Sequence, residues 1–239
     1  MIDHNDIFLR KGISMQATTK QQKGYKGIAM EGIIARWYTQ IRSSGNQSED
    51  RKKQAENLTN GLPEGAAVLE VAPGPGYFAI EMARLNQFHV TGLDISHTFV
   101  EIATENARQM GVNVDFQQGD AANMPFDEDS FDLIICQAAF KNFSYPGKAI
   151  NEMHRVLRSG GTAIIQDMWK DTSNATIRDE VALMRLNPLN AFMTRKALES
   201  LRRRAYTREQ FEHLAAASAF GECTIVTSGL GIEVRLKKQ

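Results

Sequence analysis

Val68-Leu69-Glu70-Val71-Ala72-Pro73-Gly74-Pro75-Gly76-Tyr77-Phe78-Ala79 reads as a buried strand, a tight glycine turn and the opening of a helix. Gly74 and Gly76 leave the turn without side chains, so a flat ligand can lie against the backbone. Glu70 sets an acid beside that turn. Further on, Val90-Thr91-Gly92-Leu93-Asp94 reads as a second strand ending in a carboxylate. An acid there can accept hydrogen bonds from ribose hydroxyls, which points to an adenosine-containing ligand.

From residue 66 onward, strand-like and helix-like segments alternate. Strands are expected at Ala67–Val71, Phe88–Asp94, Val112–Gln117, Phe131–Gln137 and Thr162–Asp167. Helices are expected at Tyr77–Leu85, His97–Met110 and Lys148–Arg158, the second between a Ser96 cap and a terminal Gly111. This alternation implies βαβ units and a parallel sheet. Residues 173–204 read as helical with a break at Asn187-Pro188. Thr207 and Gln210 form a capping-box pattern before Phe211–Ala217, and Cys223–Thr227 with Ile232–Leu236 read as an antiparallel hairpin. The first 60 residues carry no strand signal; Ile28–Ile41 reads as a helix and Ser43–Ser48 as a loop.

The expected fold is therefore α/β, a Rossmann-like three-layer sandwich whose mostly parallel sheet ends in an antiparallel hairpin. Helical additions would occupy 1–60 and 171–206, around a core of 61–170 that 207–239 completes. Across the 239 residues, 28 basic side chains balance 28 acidic ones, which gives no global field to attract nucleic acid or an anionic membrane. The two cysteines form no metal-ligand pattern, so no metal is expected. No apolar stretch approaches the roughly 18 residues of a membrane span, and the N-terminus lacks a signal-peptide pattern, so a cytoplasmic protein is expected.

The turn from Gly74 to Ala79 also satisfies a dinucleotide pattern, with Asp94 lying 20 residues after Gly74, so a nicotinamide cofactor stays open on that motif alone. Other features pull against it. Glu70 can hold an ammonium group, Asp120 after the third strand can meet an adenine amino group, and the sheet ends in a hairpin rather than a second mononucleotide-binding half. At VLEVAPGPG (68–76), GLDIS (92–96), GDAANMPFDEDSFDLIIC (119–136) and EMHRVLRSGG (152–161), the chain resembles the class I S-adenosylmethionine-dependent methyltransferases. The stretch from Ala138 to Phe143 is most similar to the branch with the ubiquinone/menaquinone and small-molecule enzymes.

The resemblance implies that Glu70 and the backbone at Ala72, Gly74 and Gly76 hold the methionine end of S-adenosylmethionine. It implies Asp94 on the ribose, Ile95 on the adenine face, Asp120 and Ala121 at the adenine edge, and Gln137 near the sulfonium. One departure stands out: Ala72 occupies a position where the family usually has glycine.

Methyl transfer needs an aligned acceptor more than a chemical group from the protein. Asp167, after the fifth strand, is the expected base or acceptor-orienting residue. Tyr25, Trp37, Phe140, Asn142, Trp169, Phe192 and Met193 are the expected walls of a small-molecule acceptor pocket. The alternatives are a protein or nucleic-acid methyltransferase, a nicotinamide-dependent oxidoreductase, and a non-catalytic S-adenosylmethionine-binding protein.

Overall fold

The computed structural model describes Lys26, Met30–Gly32, Ile34–Arg36, Thr39 and residues 47–239. Seven strands form one sheet: β1 (Ala66–Val71), β2 (Phe88–Asp94), β3 (Asp115–Gln118), β4 (Phe131–Gln137), β5 (Leu157–Met168), β6 (Thr224–Ser228) and β7 (Gly231–Lys237). Their order is β3-β2-β1-β4-β5-β7-β6, with β7 antiparallel to both of its neighbours. Among the described residues, Gly32, Ile34, Ala35, Arg36 and Thr39 are helical, and the helices with defined bounds are α1 (Gln47–Thr59), α2 (Tyr77–Arg84), α3 (His97–Met110), α4 (Pro146–Val156), α5 (Asn174–Leu183), α6 (Pro188–Arg204) and α7 (Arg208–Ala216).

Strand alternation sorts the core onto two faces. Leu69, Val71, Ile134, Cys136, Ala163 and Ile165 join α4 and α7 on one face. Val68, Val90, Leu133, Ile135 and Ile164 join Phe78 and Met82 of α2 and Ala55 of α1 on the other. Glu70 and Asp94 share the parity of Val68 and Val90, so both carboxylates project toward the α2 side. The strand order reverses between β1 and β4, the place where open α/β sheets leave a crevice.

Local chemistry sets most boundaries as the sequence predicts. Ser96 Oγ accepts the Phe99 N–H at the start of α3, and Gly111 closes that helix at φ 68°. Asn187 caps α6 with Pro188 in its first turn, and the Thr207–Gln210 box is complete. Three segments differ. The third strand begins at Asp115 rather than Val112, because the Val112 N–H is spent on Ala107 O in closing α3. Helix α4 covers Pro146–Val156, and β5 already begins at Leu157, which pairs with Phe131. Gly160 and Gly161 lie inside that strand and exchange hydrogen bonds with Lys238. Gln47 and Ser48 open α1 instead of belonging to a loop; the helix escapes a periodicity reading because Ala55 and Leu58 are its two apolar residues among 13.

Candidate active site

A cavity of about 640 Å³ opens at the carboxyl ends of β1, β2 and β4. The first turn forms its floor. Gly74 adopts φ 56°, and a Cβ built there would meet nothing within 4 Å, so this peptide faces open space. Gly76 lies on the other side of the turn. At φ 77° a Cβ would come 2.6 Å from the Phe116 ring and 2.8 Å from Ala103 Cβ. Gly76 is therefore a packing glycine and does not line the cavity. Ala72 adopts the left-handed φ of 59°, a conformation that costs an L-residue roughly 1–2 kcal/mol. A second strained alanine, Ala138 at φ 54°, follows β4 on the same cavity wall.

Two buried acids face this turn. Glu70 lies at the end of β1, where burial pushes its pKa up to about 8 against the opposing Ala79 N–H; the nearby Asp94 charge raises it further. Its Oε2 atom is buried without a hydrogen-bond partner among the described residues. Asp94 is pushed up to about 6, again by burial, while the N–H groups of Ser96 and Gly74 oppose the shift. Those amides donate to Oδ1 at 2.9 Å and to Oδ2 at 3.0 Å, so Asp94 ties the first turn to the second.

The N-terminal segment closes one side. The Glu31 carboxylate accepts the His97 N–H at 3.0 Å and the Thr98 N–H at 3.1 Å, capping α3, while Ser96 Oγ donates to Met30 O at 2.7 Å. Met30 and Ile34 thereby reach the cavity wall. Asp120 lines it after β3 with Oδ1 holding the Ala122 N–H at 2.9 Å, an Asx turn, and Ala121 and Ile95 lie beside it.

Gln137 reaches the cavity at the end of β4, in a network that the sequence alone does not reveal. Gln166 Oε1 accepts from Gln137 Nε2 at 2.7 Å and from Gln54 Nε2 at 2.9 Å, while Gln166 Nε2 donates to Glu233 at 2.7 Å. Gln54 and Arg51 enter from α1, and Leu201 and Arg204 from α6. None of the four lies in a motif; they are brought in by helices of unremarkable sequence.

Asp167 is hydrogen-bonded through both carboxylate oxygens. Its Oδ1 accepts from Lys141 Nζ and from the Met168 N–H, both at 2.7 Å, and its Oδ2 accepts the Lys141 N–H at 3.0 Å. Both side chains are buried, and Lys141 Nζ also donates to Ala138 O. Every oxygen of this carboxylate is thus engaged in holding the loop after β4.

The expected acceptor walls divide. Asn142 lines the cavity, and its Oδ1 is buried without a partner among the described residues. Phe140 is instead fully buried in a ring cluster, 5.5 Å from Tyr206 and 5.4 Å from Phe211, and belongs to the core. Trp169 pairs with Tyr206 in an isolated bridge and packs against the core beside the cavity without lining it. Phe192 and Met193 are exposed at the far end of α6 from Leu201 and Arg204. Tyr25 and Trp37 lie outside the described residues. Among the described residues no three His, Cys, Asp or Glu side chains cluster as metal ligands, and no helix is long and apolar enough to cross a membrane.

Residues 62–214 match the family described as a methyltransferase domain. A demethylmenaquinone methyltransferase of Deinococcus radiodurans is 31% identical over 148 residues, 61% of each chain. An uncharacterised methyltransferase of Bacillus subtilis is 40% identical over 103 residues, which cover 43% of this chain and 40% of that one. The chain thus spans about half the length of the curated relatives it matches. The crystal structure of a SAM-dependent methyltransferase from Aquifex aeolicus superposes with a TM-score of 0.61 at 18% identity, covering 83% of this chain and 96% of that one, a likeness of fold. With the glycine turn, the paired acids and the strand order in place, the family match establishes that this chain belongs to the class I S-adenosylmethionine-dependent methyltransferases.

Proposed function

We propose that this chain binds S-adenosylmethionine in the cavity beyond β1, β2 and β4 and transfers its methyl group to a small organic acceptor. The observation that carries the reading is Glu70 Oε2, a buried carboxylate oxygen without a partner among the described residues, beside a glycine turn that opens on empty space. Such an atom calls for a cationic donor, and the ammonium of the cofactor's methionine end supplies one. The N–H groups of Ala72 and Gly74 are already given to Leu93 O and Asp94, so their carbonyls remain as the turn's contribution. Asp94 is the acid for the ribose hydroxyls, Ile95 packs on the adenine, and Asp120 with Ala121 meets its amino edge.

When bound, the cofactor supplies a methyl group on a sulfonium that carries its own leaving group. The chain's part is to align the acceptor and exclude water, and such positioning can supply about 7–11 kcal/mol of a barrier. Gln137 and Asn142 offer polar contacts to the acceptor, and Met30, Ile34, Phe143 and Leu201 supply apolar walls. With Asp167 held by Lys141, the reading uses no carboxylate base from β5. In this reading 61–170 and 207–239 form the cofactor-binding core, while 1–60 and 171–206 cover the acceptor. The Deinococcus relative's name, a demethylmenaquinone methyltransferase, supports a quinone-like acceptor.

The test is incubation with methyl-deuterated S-adenosylmethionine and a metabolite extract supplemented with demethylated quinones, read by mass spectrometry. A product carrying the labelled methyl group is expected. Absence of S-adenosylhomocysteine binding in calorimetry would overturn the reading.

A further inference from the structure

Six large apolar side chains stand in solvent within eleven consecutive residues: Leu183 at 76% exposure, Leu189 at 70%, Met193 at 60%, with Met184, Leu186 and Phe192. They occupy the end of α5, the turn and the start of α6. Helix α6 buries none of its 17 residues and packs chiefly along α5; its C-terminal end reaches the cavity through Leu201 and Arg204, while the end that carries the apolar cluster is the one joined to α5 by the turn. Isolated exposed leucines are ordinary, whereas a contiguous apolar tip of this kind marks an interaction surface.

The charge around the tip identifies the occupant. Between Leu183 and Lys196 the charged residues are Arg185, Arg195 and Lys196, all basic. Over residues 174–204 there are seven basic and three acidic side chains, an excess of four positive charges in a chain whose net charge is zero. Glu199 pairs with Lys196 at 2.9 Å and lies 3.8 Å from Arg195. Among the described residues no carboxylate pairs with Arg178 or Arg185. A groove of about 290 Å³ runs between the two helices, walled by Val181, Pro188 and Phe192 and flanked by Arg178 and Arg195. Arg195 Nε is buried there without a hydrogen-bond partner among the described residues.

An apolar tip with a cationic rim matches the interface of an anionic bilayer, where hydrocarbon receives the leucines and phosphate groups meet the arginines. We propose that the α5–α6 hairpin docks the protein on anionic phospholipid membranes. This surface is separate from the cofactor cavity: Leu189 and Leu201 are twelve residues apart on α6, about 18 Å along a helix. The proposal therefore does not depend on which acceptor is methylated.

Co-sedimentation of the full chain with phosphatidylcholine vesicles, with and without phosphatidylglycerol, tests it. Binding to the phosphatidylglycerol vesicles is expected, falling at least tenfold in the Leu183→Glu/Leu189→Glu variant and weakening as salt is raised. Both sites are on the surface, so the variant should keep its thermal melting curve and its S-adenosylhomocysteine affinity, which separates loss of docking from loss of the fold or of the cofactor site. Wild-type protein that ignores both vesicles would overturn the proposal. So would binding unchanged by the substitutions, or a dimer in light scattering that the substitutions dissolve while vesicles stay unbound.

Discussion

Lys141 Nζ lies 2.7 Å from Asp167 Oδ1, and both side chains are buried, 5% and 3% exposed. The pair joins the loop after β4 to the end of β5 and anchors the left-handed Ala138 through its carbonyl. Lys141→Met leaves a buried carboxylate uncompensated and should destabilise the protein by about 3–5 kcal/mol in urea unfolding. The double variant Lys141→Met/Asp167→Leu should recover much of that loss, since it removes both desolvated charges together. A single variant no less stable than wild type would show that the pair does not hold this loop.

Ala72 carries the backbone conformation of a glycine without being one. Ala72→Gly should relieve the strain and raise stability by about 1 kcal/mol, or roughly 2–4 °C in melting temperature. Unchanged cofactor affinity is expected beside it, because the Ala72 N–H donates to Leu93 O in either case. Ala138→Gly should behave in the same way. A fall in melting temperature for both variants would mean that the strain is not there.

Glu70 and Asp94 make the free protein pH-sensitive in a direction opposite to most carboxylates. Both have pKa values raised in the folded chain, to about 8 and about 6. Their contribution to stability is fully present below their unfolded values and is lost as pH rises through the folded ones. Stability without cofactor should therefore decline from about pH 4.5 to 8 by up to about 1.4 kcal/mol per pH unit for Glu70. Glu70→Gln should flatten that limb of the curve in denaturant titrations. If ionised Glu70 receives an ammonium, cofactor affinity should rise over the same range, and the variant should lose that dependence as well.

The Phe116 ring is held between two glycines. A Cβ at Gly92 would lie 2.4 Å from its Cδ1, and one at Gly76 would lie 2.6 Å from its Cζ. The ring cannot yield to one without striking the other, so Gly92→Ala should cost about 1–3 kcal/mol. Adding Phe116→Leu should restore part of that stability, as a double-mutant cycle would measure.

The sheet and its crossovers were legible because their signals are local. Short, mostly apolar runs mark β1, β2 and β4, Ser96 and Gly111 bound α3, and the hairpin turn reduces to Gly229-Leu230 between paired Ser228 and Gly231. The acids and the Gly74 turn of the site were legible for the same reason. Features set by tertiary packing were not. Helix α1 is too polar to show a face, yet it delivers Arg51 and Gln54 to the cavity. Asp167 reads as a free acid because nothing in the sequence ties it to Lys141, 26 residues away. Phe140 and Phe192 look alike as aromatic candidates, but ring contacts with Phe143, Tyr206 and Phe211 bury the first, while the second stays in solvent.

The double capping of α3 has a practical consequence. Because Glu31 completes the amide shell that Ser96 begins, the first turn of that helix is built from two distant stretches of chain. Shortening the polypeptide past position 31 should thus free the amides of His97 and Thr98 to exchange with deuterium, and loosen Asp94, three residues before His97. The sheet beneath would stay intact, so an expression fragment trimmed to its tidy α/β portion should fold well yet, with Asp94 in its proposed role, bind S-adenosylmethionine weakly.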